Sequence, residues 1–356
     1  MFNRFFLLVL GSIATLLMVI AGTIMAVDPL WIAPADLALT QYFCVKDERQ
    51  NKSSKLVFSK EVYDTVIIGS SRVNNSIDFS RYGLKAYTYG LSGAFPHELK
   101  GYLDHFSQTK GSPRVIILGV DFYGTAKPTS ITLLDRPAAN YLAQINDAWF
   151  RFKIVTSWGA LAYAFSTVTQ CAPTPGEYGV YTKDGRMHVS RWPDVKDVMA
   201  KAKGNINFWR DYRYGRSYVF NEDLKTMYSD MRRAYPDAKF VVFTTPETTL
   251  MHKLILDTGH FDDYSRWLAI LVDTFGDVYD FMGVNDISSD IGSRWYDAQH
   301  IYPEFTDIIY DRLLGSAQPA SPGFGVLVTK SNLEDHIQAQ RRAIQSLNVE
   351  DLKAGR

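Results

Sequence analysis

From residue 5 to residue 27 the chain carries no charged side chain and is apolar almost throughout, an unbroken run of 23 residues between Arg4 and Asp28. As a helix such a run is about 34 Å long, enough to cross a hydrocarbon core of roughly 30 Å. It is longer than a signal-peptide core, and Ile24-Met25-Ala26 is a poor small-x-small cleavage site. Residues 1–27 therefore read as an uncleaved transmembrane signal anchor, with a cleaved signal peptide as the alternative. Arg4 and the terminal amine favour a cytoplasmic N-terminus, which puts the remainder outside the cytoplasm. No second run of this length follows, so the expected arrangement is single-pass.

Beyond the anchor the pattern changes. Residues 28–60 are polar and irregular and read as a stalk. Short continuous apolar runs follow at 63–69 (YDTVIIG), 113–120 (PRVIILGV) and 238–245 (AKFVVFTT), with weaker ones at 85–89 and 277–282. Runs of this kind suit strands buried on both faces of a parallel sheet. Between them Leu99, Tyr102, Leu103 and Phe106 recur at helical spacing, as do Leu224, Met227, Tyr228 and Met231, and Phe305, Ile308 and Ile309 behind Pro303-Glu304. Strands alternating with helices predict a three-layer α/β/α domain over residues 61–315 around a mainly parallel, doubly wound sheet. An aromatic-rich insertion at about 125–212 interrupts the alternation and contains an expected hairpin around Asp184-Gly185. Residues 316–356 read as a linker followed by a charged, solvated helical tail from about Asn332.

Composition narrows the function classes. With 38 basic and 38 acidic residues the formal net charge is zero, which removes the basic excess of a nucleic-acid binder. Two cysteines, Cys44 and Cys171, cannot build a four-cysteine metal site; they either pair in an oxidising compartment or stay buried and free. The seven histidines include no His-x-x-x-His pair, so no metal or other cofactor is expected. Of the aromatic residues, Trp149, Trp158 and Trp209 in or near the insertion have two readings, a sugar-stacking groove or core packing. His97 and His105 on the helix after residue 95 read as solvent-facing or capping.

Three loops at the carboxyl ends of predicted strands carry candidate chemistry. Gly69-Ser70-Ser71-Arg72 places a serine on a strand-to-helix turn, beside backbone N–H groups that suit an oxyanion; helix capping explains the same residues. Gly90-Leu91-Ser92-Gly93 lets backbone approach a ligand, or simply makes a tight turn. Asp297-Ala298-Gln299-His300 sets a carboxylate three residues before an imidazole, so that Asp297 can hold Nδ1–H and leave Nε2 as a general base.

Together, VIIGSSRVNNSID, TYGLSGAFPHEL, VIILGVDFYG and YDAQHIYPEF resemble, in order and spacing, the SGNH (GDSL-like) hydrolase superfamily. The nearer likeness is to its membrane-anchored branch of DltD-like and alginate O-acetylation (AlgJ/AlgX-like) proteins. The resemblance spans about residues 61–315 and implies the flavodoxin-like SGNH fold. It implies Ser71 as nucleophile, His300 as base, Asp297 as its orienting acid, and the Ser71 and Gly90 N–H groups as the oxyanion hole. Asp121 departs from the pattern, standing where the superfamily usually has an oxyanion-donating asparagine. Either Asp121 is protonated or turned away, or another group donates, or catalysis is weak. Arg72 is the candidate substrate-binding residue; pairing with Asp121 and a capping salt bridge are its other readings.

The resemblance also implies an activity: an extracytoplasmic (periplasmic), inner-membrane-tethered O-acyltransferase, O-acetyl by expectation. It would modify a cell-surface polysaccharide or envelope glycan, with an MBOAT-type membrane-bound O-acyltransferase supplying the acyl group. The alternatives are a carbohydrate esterase with the same triad and a non-catalytic scaffold in a polysaccharide synthesis or secretion complex.

Overall fold

The computed structural model describes residues 2–33, 38–74, 79–127, 138–174, 179–182, 185–315 and 321–348. Among them run nine strands: β1 (Tyr42–Cys44), β2 (Thr65–Gly69), β3 (Ala86–Gly90), β4 (Val115–Val120), β5 (Val180–Thr182), β6 (Met187–His188), β7 (Lys239–Thr244), β8 (Val278–Asp280) and β9 (Val326–Val328). The chain divides into two compact units, Met1–Glu61 with Ala138–His188, and Val62–Pro137 with Val189–Arg356.

The first unit opens with the helix Phe2–Val27, long and apolar enough to cross a membrane. Only its end is covered: Ile20 and Ile24 pack against Ala160, with Leu30, Ile154 and Leu161 around them. The segment read as a stalk contains β1 and the helix Glu48–Phe58, whose N-terminus is capped by the Asp47 carboxylate. β1 pairs antiparallel with β5, and β5 with β6 in the register Val180↔His188, the hairpin expected from the sequence. Gly185 adopts φ 83° there, a left-handed conformation glycine accepts without strain; Asp184 lies outside the described residues. A Cys44–Cys171 disulfide, its Cα atoms 5.5 Å apart, ties β1 to the end of the helix Trp158–Gln170.

The second unit is a six-stranded sheet in the order β3-β2-β4-β7-β8-β9, parallel except at its last pair, with helices packed around it. β2 and β4 are buried along their whole length, which is why their sequences are continuous β-branched and leucine runs rather than alternating ones. Helices connect the successive parallel strands from β3 onward: Pro96–Lys110 after β3, Leu224–Ala234 before β7, Phe261–Phe275 before β8. In chain order the five parallel strands lie 2-1-3-4-5, a doubly wound arrangement that changes direction between β2 and β4.

The C-terminal segment is part of this core. Val326–Val328 adds β9 antiparallel to β8, and the helix Leu333–Gln345 buries His336, Ile337, Gln340 and Ile344. Its charged residues occupy the outer face only. A three-residue strand behind a Gly/Pro-rich stretch has too little pattern to separate from a linker. Nor is His105 solvent-facing or capping: it is buried, its Nδ1 sits 3.0 Å from the Tyr89 hydroxyl, and burial pulls its pKa down to about 4.

Candidate active site

Ser71 opens a short 3₁₀ turn, Ser71–Val73, directly after β2. Ser70 caps it, its hydroxyl accepting from the Arg72 N–H at 3.2 Å, while the Val73 and Asn74 N–H groups close back onto Ser70 and Ser71. The turn can settle onto the neighbouring strand only because position 119 is glycine, where a Cβ would stand 2.5 Å from Val73 Cγ1.

The histidine comes from the far side of the fold. After β8 an isolated antiparallel bridge, Trp295↔Ile301, pinches residues 296–300 into a tight loop. The loop is pinned by the Thr248 N–H and hydroxyl, both donating to the Ala298 carbonyl, at 3.1 and 2.7 Å. Within it Asp297 accepts from the backbone N–H groups of Gln299 and His300, each at 2.8 Å, and lies 2.9 Å from His300 Nδ1. Burial pushes the Asp297 carboxyl up. The His300 ring and the two backbone donors outweigh it and hold the carboxyl below the usual range. His300 Nε2 then stands 3.0 Å from Ser71 Oγ, across a sequence separation of 229 residues. Asp297 and His300 are buried, and Ser71 keeps partial exposure. Nucleophile, base and orienting carboxylate are therefore within hydrogen-bond reach of one another, in the geometry that activates a serine hydroxyl.

Beside them lies a buried charge network. The Arg72 side chain is 3% exposed. Its Nε faces Asp121 Oδ1 and one terminal nitrogen faces Glu247 Oε2, both at 3.3 Å, while the other donates to Gln299 Oε1 at 2.8 Å. Thr245 links the set, donating to Asp121 Oδ1 at 2.6 Å and accepting from Arg72 at 3.2 Å. Of the sequence readings for Arg72, the structure contains the Asp121 pairing, and it is an interior pair rather than a surface one. Asp121 is thus not a lone charge at the third strand end, since its Oδ1 is held by a guanidinium and a hydroxyl. Glu247 is fully buried with Oε1 unpartnered; burial, reinforced by Asp121 and Asp280 and opposed by Arg72, raises its pKa to about 7.

No protein-family model, no curated protein and no solved structure matches this chain at a significant level.

Gly90 ends β3, and a Cβ there would lie 2.1 Å from Asn74 Oδ1, so glycine lets a buried asparagine amide approach the strand end. Asn74, Thr245, Glu247 and Gln299 were not picked out from the sequence. Their one legible signal is position: Thr245 and Glu247 lie just past Thr244, the end of β7, at a carboxyl strand end where α/β sheets place their sites. The three candidate sugar-stacking tryptophans do not belong to one unit. Trp209 is buried in the second unit, while Trp149 and Trp158 stand exposed on the first.

Proposed function

We propose that this chain is a membrane-tethered, extracytoplasmic O-acyltransferase of the SGNH type, working on a polysaccharide or other envelope glycan through an acyl-serine intermediate. One observation carries the reading: Ser71 Oγ, His300 Nε2 and Asp297 in hydrogen-bonded series, gathered at the carboxyl ends of a doubly wound sheet. The apolar N-terminal helix supports tethering, and the Cys44–Cys171 disulfide suits an oxidising compartment.

In this reading Ser71 Oγ attacks the carbonyl carbon of an acyl donor, supplied by an MBOAT-type partner, as His300 Nε2 takes the hydroxyl proton. The resemblance assigns the Ser71 and Gly90 N–H groups to the oxyanion. Collapse expels the donor's leaving group, which receives the proton from His300, and leaves an ester on Ser71. A sugar hydroxyl then attacks that ester, giving its proton to His300, and Ser71 is released as the proton returns to Oγ. Asp297 stays ionised, orienting the ring and stabilising the imidazolium. Arg72 is occupied by Asp121 and Glu247, so its part is to brace the nucleophile turn and the Gln299 side of the histidine loop rather than to hold substrate.

The test uses the purified full chain with p-nitrophenyl acetate and intact-mass detection. A burst with an adduct of about 42 Da, one acetyl group, is expected in the wild type and absent from Ser71→Ala and His300→Ala. Adding oligosaccharide acceptors then separates acyl transfer from release to water, the outcome that would make the protein an esterase. Equal behaviour of wild type and variants, with the natural donor as well, would sink the reading.

A further inference from the structure

We propose that the aromatic helices of the first unit form a second membrane contact, lying in the outer interface of the bilayer beside the spanning helix. The proposal rests on residues 5–27 crossing the membrane. It concerns the helices Phe150–Val155 and Trp158–Gln170 and the residue before them, Trp149.

Five large apolar side chains stand out from this segment: Trp149 is 65% exposed, Phe152 59%, Trp158 74%, Phe165 70% and Val168 61%. Exposed hydrophobic residues scattered singly are ordinary on a protein surface, whereas a grouped set of aromatics marks a contact surface. The opposite face of the second helix, Ala160, Ala164 and Thr167, is buried. Ala160 packs on Ile20 and Ile24, in the last turns of the spanning helix. Ile20 lies seven residues before Val27, about 10 Å along the helix axis, so this packing sits at interfacial depth if the helix crosses the bilayer.

Polar groups are arranged to suit the same occupant. The helix Trp158–Gln170 contains no charged residue. Its three serine and threonine hydroxyls turn back onto their own helix, Ser166 and Thr167 to the Tyr163 carbonyl and Thr169 to the Phe165 carbonyl, and the Tyr163 hydroxyl donates to the Cys44 carbonyl at 2.6 Å. The spanning helix treats Ser12, Thr15 and Thr23 in the same way. Hydroxyls so satisfied need no water, the condition a side chain in lipid must meet. A sugar-binding face would instead present free donors and acceptors beside its aromatic rings. Between the tryptophans, Arg151, stacked over the Phe58 ring, and Lys153, paired with Asp147, are exposed, cations placed where lipid phosphates would lie. Tryptophan at the water–lipid boundary completes the pattern.

The full chain is reconstituted into phosphatidylcholine vesicles with plain or acyl-chain-brominated lipid. Vesicle flotation and tryptophan emission are measured for the wild type and for Trp149→Phe with Trp158→Phe. Brominated lipid is expected to quench about two of the seven tryptophans in the wild type, and near zero in the double variant. Aqueous iodide should reach neither residue in vesicles. Because phenylalanine keeps the apolar bulk, an unchanged thermal midpoint certifies the fold of the variant. Co-flotation without bromolipid quenching of these two residues overturns the second contact alone, whether iodide reaches them (a face left for another protein) or not (a face covered by a second copy). Failure to co-float overturns the anchor reading and this one together.

Discussion

Two buried histidine–aspartate pairs of the second unit look alike in isolation and differ in what surrounds them. His300 Nδ1 meets Asp297 at 2.9 Å, and His336 Nε2 meets Asp280 at 2.8 Å. Around Asp280 every approach is closed: Oδ1 accepts from the Thr244 hydroxyl at 2.6 Å and the Met282 N–H at 3.1 Å, while Oδ2 also accepts from Tyr264. Burial pushes the Asp280 carboxyl up, but His336 and these hydroxyls bring it below its ordinary value. That pair ties the C-terminal helix to the end of β8. At Asp297 the histidine's second nitrogen faces a partly exposed serine instead. An imidazole held by a carboxylate becomes chemistry only when its other nitrogen is given a nucleophile; otherwise it is a fastener.

The sharpest way to break this comparison is to remove the nucleophile or the base. Ser71→Ala should abolish the acyl-enzyme and His300→Ala should slow its formation by about 10³-fold or more, below detection in the burst assay, while both leave the thermal midpoint near its wild-type value. Asp297→Asn should cost about 10²–10⁴-fold through the wrong tautomer, read as a fall in kcat with little change in KM. At the second pair the effect should move from rate to stability. His336→Ala strands a buried carboxylate and should cost about 3 kcal/mol in urea unfolding, with turnover per folded molecule kept within about twofold. If turnover collapses while stability holds, Asp280–His336 belongs to the chemistry and the contrast fails.

A smaller effect concerns Glu247. Its folded pKa is about 7 against an ordinary 4.5, so between those values the folded chain holds a proton that the unfolded chain has lost. Stability therefore falls as pH rises from about 4.5 to about 7 and then levels. Glu247→Gln should flatten that window by roughly 1–3 kcal/mol, visible as a smaller difference between unfolding at pH 5 and pH 7.5. An unaltered slope would show that Glu247 ionises freely beside Arg72.

Much of this was legible locally. β2, β4 and the last four residues of β7 announced themselves because strands buried on both faces must be apolar without a break. The helix carrying Leu99 and Phe106 followed from helical spacing, and Asp297 and His300 from a three-residue interval that one loop can close. β9 was illegible for the opposite reason: three residues at a sheet edge take their conformation from the strand they pair with. The buried state of His105 was equally hidden, since spacing along a helix does not say how wide a face the neighbours cover.

By itself, then, the sequence determined the apolar N-terminal helix, the class of the fold, and the internal geometry of each short motif, because those depend on solvent preference and on contacts a few residues apart. The tertiary structure alone decided that Ser71 meets His300, that Arg72 is spent between Asp121 and Glu247, that Cys44 meets Cys171, and that one His–Asp pair is open while the other is sealed. Such pairings join residues far apart in the chain, and only the packing of the sheet and its helices brings their side chains within bonding distance.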